Sequence, residues 1–173
     1  PFVEKIITYL DEVNGSFKGA PKFPQFYIFD AILHFYNKTY NQKYLDVVEK
    51  LLLSLSSKGI YDHLEGGISR YTVDEKWIVP HFEKMLYDNI LFVSLLGEFY
   101  LEEPDEYYKQ KIIQTVEFIN NSFKNKNNLL GSAYDADSEG VEGKYYVWDD
   151  KELKKILEKD YDFFSKYFDI SEN

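Results

Sequence analysis

The amino-acid sequence predicts a mainly α protein: part of an (α/α)6 toroid of the six-hairpin type, with a small β-hairpin near residues 132–148. Three observations point there. Residues 25–39, and the stretch 90–96 of a helix running to about 101, are apolar on nearly every helical face, whereas 43–57 and 105–123 are apolar on one stripe only. A helix apolar all round is buried on all sides, and one with a single apolar stripe keeps a wet face. The two types alternate, inner then outer, as stacked helical hairpins in concentric layers do. A four-helix bundle would make all its helices similarly half-wet, so the layered arrangement is favoured.

Taken in order, Phe2, Val3, Ile6, Ile7, Leu10 and Val13 give helical spacing over 2–13, and Asn14-Gly15 ends that helix. Residues 15–25, with two Gly and two Pro, form a loop. The helix over 25–39 contains His34, read as a core or inter-helix histidine. After the helix over 43–57 comes a loop over 58–80, and Pro80 is placed at the first turn of the second inner helix. Its partner stripe is Tyr108, Ile112, Val116, Ile119 and Phe123. Gly140 and Gly143 flank a turn and Lys144–Trp148 has strand propensity, which gives the hairpin. Asp149-Asp150 caps a helix over 150–159, and another begins over 161–168.

Composition limits the function. At 173 residues the chain fits one domain, 1–173, and 45% apolar content is that of a globular protein. A net charge of −10 argues against nucleic acid and anionic membrane surfaces as partners. The chain has no cysteine, which excludes internal disulfides, thiol catalysis and Cys-ligated zinc and fits a cytoplasmic protein. No apolar run reaches the roughly 20 residues that span a bilayer. The chain opens on Pro1 without Met, as a fragment or a processed product would.

Distinctive side chains gather over residues 59–90. That stretch holds the only Arg (Arg70), the only Met (Met85), one of two Trp (Trp77) and two of three His (His63, His81). With 81–101 helical, steps of ~100° place His81, Lys84 and Asp88 within about 60° of one another, and Glu83 about 200° from His81. Glu83 is then an ion-pair or first-turn dipole residue, or His81 precedes the helix proper. His63 and His81, brought together across a pocket, could share acid–base work near neutral pH. Arg70 offers a fixed-charge donor fork for a carboxylate, phosphate or sugar hydroxyls; its structural alternative is an ion pair with Asp62, Asp74 or Glu83. Tyr71 and Trp77 could stack on a sugar ring or cover the core, and Tyr87 joins them as a substrate-binding candidate.

Asp135, Asp137 and Glu139 alternate before Gly140 like the start of a calcium loop, but the twelfth position is Tyr146 where a bidentate Glu is required. On an extended segment the three acids would share one side. His-x-x-x-His and His-x-x-His pairs are absent, so neither a metal nor another cofactor is expected. No phosphate-binding glycine loop or nucleophile elbow is present either.

Three segments carry a resemblance: 15–25 (GSFKGAPKFPQ), 59–89 (GIYDHLEGGISRYTVDEKWIVPHFEKMLYDN) and 132–148 (SAYDADSEGVEGKYYVW). In this order they closely resemble the spermatogenesis-associated protein 20 family, over about residues 14–158. The resemblance implies an N-terminal thioredoxin-like domain, absent from this chain, followed by an α/α toroid of which this chain is the first part. Such a toroid is similar to those of N-acylglucosamine 2-epimerases and six-hairpin glycosidases, where loops of the inner helices form a sugar pocket. It further implies that the three segments converge on one funnel lined by His63, Arg70, His81, Glu83, Asp88, Asp135 and Asp137. One departure is Ser69, where the family pattern reads His.

Two functions follow, and whether the chain is an enzyme is left open between them. The first is a carbohydrate-type pocket. An epimerase or isomerase would use His63 and His81 as acid and base with Arg70 polarising the carbonyl. A glycosidase would need two carboxylates about 5–10 Å apart from among Glu83, Asp88, Asp135 and Asp137. The second is a non-enzymatic binding or scaffold module working with the thioredoxin-like domain. Expected partners are therefore a small sugar-like ligand and that domain.

Overall fold

A computed structural model of the chain describes residues 2–168 and 170. The chain packs as two compact units, Pro1–Ala136 and Asp137–Asn173. The first unit is built on α1 (Phe2–Ile7), α2 (Phe26–Thr39), α3 (Gln42–Ser57), α4 (Leu86–Glu102) and α5 (Glu106–Phe118). Helices α2 and α3 form one hairpin, α4 and α5 a second, and α2 packs on α4. The alternation of inner and outer helices read from the sequence is thus the arrangement of the fold.

The core lies between these four helices. Phe29, Ile32 and Leu33 of α2 meet Val48, Leu51, Leu52 and Leu55 of α3 and Phe92, Leu96 and Phe99 of α4, all essentially without solvent exposure. Side chains three and four positions apart share a helix face, so each helix presents one continuous stripe to this core. Polar caps set the starts: Asn41 Oδ1 accepts from Lys43 N, and Asp105 Oδ1 accepts from Tyr107 N. Among the described residues, no helix is long and apolar enough to cross a membrane.

Several expectations change. Helix α2 is not buried all round: Tyr27 and Phe35 are exposed, and so is His34, which is therefore not a core histidine. Helix α1 stops at Ile7 because Asp11 folds the chain back, its carboxylate accepting from Val13 N and Asn14 N. The final turn of the fourth long helix widens into a π-turn, Ile119–Phe123.

The second inner helix starts at Leu86, not near Pro80. Residues 84–85 instead form strand β1 (Lys84–Met85), antiparallel to β2 (Ala133–Tyr134). Phe82 has φ +69, a left-handed conformation incompatible with a continuous right-handed helix.

In the second unit, β3 (Asp137–Ser138) pairs antiparallel with β4 (Val141–Glu142). Glu139 and Gly140 both have positive φ, as a primed two-residue hairpin turn requires. The hairpin falls in the expected region, but residues 143–146 form turns and 147–148 carry no strand, with Tyr146 N and Val147 N both donating to Gly143 O. Asp149 caps α6 (Asp150–Leu157) through Lys151 N, and α7 (Tyr161–Tyr167) follows.

Candidate functional site

Backbone hydrogen bonds join the three motif segments. Lys22 N donates to Thr72 O and Thr72 N to Lys22 O (2.8 and 3.0 Å), tying the first loop to the second. Residues 80–83 then run antiparallel to 70–72: His81 N donates to Tyr71 O (3.1 Å), and Arg70 N to Glu83 O (2.8 Å). The third segment completes the set through the β1–β2 pairing and Leu86 N to Ser132 O (2.9 Å). An extended segment leading into the N-terminus of α4 is therefore flanked by two others.

Buried polar groups hold these loops. Lys84 is 1% exposed; its ammonium donates to Asp62 Oδ2 (2.7 Å) and Gly66 O (3.1 Å) and lies 4.3 Å from the centre of the Phe118 ring. Lys22, equally buried, pairs with Asp11 at 2.8 Å and donates to Phe17 O. Asp74 accepts from the backbone N–H groups of Lys76, Ile78 and Val79, which fixes the turn before Pro80. Buried charges are tolerated only when paired and hydrogen-bonded, and both of these ammonium groups are.

The predicted residues divide accordingly. Trp77 is fully buried and its indole N–H donates to Asn14 O (2.8 Å), so it is a core anchor and cannot stack on a substrate. Ser69 is also buried, with its N–H donating to Ile60 O. His63 is exposed; Nε2 lies 3.1 Å from Lys58 O and the ring meets Tyr61 edge-on. Partial burial against Tyr61, together with the Lys111 charge, lowers its pKa despite the Lys58 carbonyl. His81 packs elsewhere, stacked 4.7 Å from Tyr71, which stacks on its other face against Phe23 at 4.7 Å. The two histidines rest on different rings, His63 on Tyr61 and His81 on Tyr71.

Arg70 and Glu83 form an ion pair at 3.2 Å with both side chains partly exposed. Glu83 thus has the structural role considered above, and His81 indeed lies before the helix. Asp88, in the first turn of α4, is 7% exposed, and its Oδ2 has no hydrogen-bond partner among the described residues. Burial pushes its carboxyl up to about 6, against the opposing pull of Arg70 and Tyr87 and with help from the Glu83 charge. Tyr87 is largely exposed beside it. Asp135 is exposed just after β2, and Asp137 lies on β3 of the second unit opposite Glu142.

One set, Arg70, Glu83, Tyr87 and Asp88, is therefore gathered at the start of α4. A buried acid with a raised pKa can hold or release a proton near neutral pH. Among the described residues, no group of three or more His, Asp or Glu is placed to hold a metal ion. A separate cleft of about 270 Å³ lies by α1 and α3, floored by Ile7, Leu10, Phe29 and Val47.

Reading the sequence missed Phe23, the outer ring of the stack, and the pairs Asp62–Lys84 and Asp11–Lys22. The only advance signal was the Gly66-Gly67 step just after Asp62, which marks a place where backbone comes close to something else. Nothing in the sequence says that a particular lysine is buried.

No family model matches the chain. Over 157 residues, 85% of its length, the chain is 31% identical to human spermatogenesis-associated protein 20 and 30% identical to the mouse protein of that name. It spans about 20% of the length of these curated relatives. Among solved structures it is similar to a cellobiose 2-epimerase from Bacillus thermoamylovorans, with a TM-score of 0.62 and 18% identity over 77% of this chain and 40% of that one. At that identity the likeness shows the fold, an α/α toroid.

Proposed function

The chain belongs to the spermatogenesis-associated protein 20 family, and from that premise we propose that it carries one wall of a carbohydrate-type binding site at the start of α4. The observation that carries this reading is Asp88: a buried carboxyl with an unpartnered oxygen and a pKa near 6, bordered by Arg70, Glu83 and Tyr87. A polyol supplies hydroxyl donors that such an oxygen lacks, and an acid of that pKa suits proton transfer at a sugar carbon or a glycosidic oxygen. Asp88 is the catalytic candidate in either epimerase-like or glycosidase-like chemistry. Tyr71 and His81 supply a flat aromatic surface, and Asp135 is kept as a further ligand-binding candidate of the same unit, while Asp137 belongs to the second unit. Sharing a fold with an epimerase supports the location of the site and leaves the reaction to its residues.

A second reading is favoured by the pairing of Arg70 with Glu83 and by the Phe23–Tyr71–His81 stack. In it these residues hold loops of a scaffold that works with a thioredoxin-like domain of the full-length protein. Calorimetric titration of the full-length protein with mono- and disaccharides separates the two. The first reading expects a saccharide to bind and Asp88→Ala to abolish binding in a folded protein. Absence of binding by any saccharide to the folded protein favours the scaffold.

A further inference from the structure

We propose that the Asp88 site selects a ligand bearing a protonated amine, an amino sugar or amino-polyol, over a neutral or acidic polyol; this rests on the carbohydrate-type reading above. The argument is one of charge. Arg70 is committed to Glu83 at 3.2 Å, so that pair is neutral and offers no spare cation to an acidic ligand. Asp88 remains as the charge without an ion-pair partner of its own: it is 7% exposed, with Oδ2 lacking a donor among the described residues. The groups that act on it are the charged Arg70 and Glu83 and the neutral Tyr87 hydroxyl, which hydrogen-bonds it, and with Asp88 ionised the three charges sum to one negative charge. The chain as a whole adds a net −10, which disfavours an anionic ligand at long range.

Burial of an unpaired carboxylate is unfavourable, and the raised pKa of Asp88 is the sign of it. A hydroxyl donor relieves that in part. An ammonium donor relieves it more, because a charge-assisted hydrogen bond is roughly twice as strong as a neutral one. Ammonium binding therefore requires the ionised carboxylate and releases any proton that Asp88 holds, whereas a neutral sugar tolerates either form.

The test is calorimetry on the full-length protein with glucosamine, glucose and glucuronate, at about pH 7 and about pH 5. Glucosamine is expected to bind about tenfold more tightly than glucose at the higher pH and to lose about tenfold at the lower, as Asp88 protonates. Glucuronate is expected to bind least. Asp88→Asn should erase the preference for glucosamine over glucose and the pH dependence of glucosamine binding. Equal binding of all three, or a preference for glucuronate, overturns the inference and leaves the carbohydrate site standing. Failure of every saccharide to bind removes the carbohydrate site and this inference with it.

Discussion

Asn89 satisfies both backbone polar groups of Ile68, 21 residues earlier in the chain: its Oδ1 accepts from Ile68 N at 2.8 Å and its Nδ2 donates to Ile68 O at 3.1 Å. The same amide nitrogen donates to Met85 O at 2.8 Å. One fully buried side chain thus pins the motif loop to the first turn of α4, the turn that carries Asp88.

Asn89→Ala strips the Ile68 N–H and C=O of their partners in a site closed to water. An unsatisfied buried group costs about 1–3 kcal/mol, so the substitution is expected to destabilise by about 2–4 kcal/mol. Urea denaturation of the full-length protein measures this, and a loss below about 0.5 kcal/mol would mean that the clamp is not made.

Gly67 lies in the same loop with φ +79, and a Cβ there would stand 2.5 Å from Phe118 Cδ1 and 2.7 Å from Asn89 Oδ1. Gly67→Ala combines a strained backbone with a clash and is expected to cost about 2 kcal/mol or more. Gly140→Ala has positive φ and open space around it, so strain alone predicts a smaller loss. Parallel thermal melts of the two variants check the ranking.

The Asp62–Lys84 pair should respond asymmetrically. Asp62→Ala removes the carboxylate that faces the buried Lys84 ammonium, and breaking a buried pair costs about 3–5 kcal/mol. Burial alone would raise the Asp62 carboxyl, but Lys84 and two backbone N–H donors outweigh it and its pKa is lowered. A lowered carboxyl pKa gives stability that is present above the unfolded value of 3.8 and is lost as pH falls through the folded value. Acid titration of wild type is therefore expected to show a loss below about pH 4 that Asp62→Asn largely lacks.

Asp88 carries the opposite sign. Its folded pKa of about 6 exceeds the ordinary aspartate value of 3.8, so the unfolded chain ionises first as pH rises. Stability falls between those two values and is flat above about 6, a cost of up to roughly 3 kcal/mol at one pKa unit per 1.4 kcal/mol. Asp88→Asn is expected to stabilise the protein near pH 7.5 and to be nearly neutral near pH 4. Denaturant midpoints across that range test it; a variant less stable than wild type at every pH would show that the carboxylate is structural.

The hairpin plan was legible in the sequence because it rests on periodicity: Phe92, Leu95, Leu96 and Phe99 repeat at helical spacing, and so do Val48, Leu51, Leu52 and Leu55. The start of α4 was misplaced because Pro80 is also favourable at a helix start, while the feature that excludes a helix, positive φ at Phe82, leaves no mark in composition. Trp77 was drawn to the site by its position in the motif, and burial separates it from the site. His34 went the other way, from assumed core to surface, because an all-apolar stretch does not reveal which flank stays open. Arg70–Glu83 had been one of several possible pairs, and only the antiparallel run of 70–72 against 80–83 selects it.

The account turns on Asp88 as an acid without full compensation. Its most direct test is an NMR titration of the Asp88 side-chain carboxyl carbon in the full-length protein. The expected midpoint is about 6; a midpoint of about 4, that of an ordinary aspartate, would contradict it.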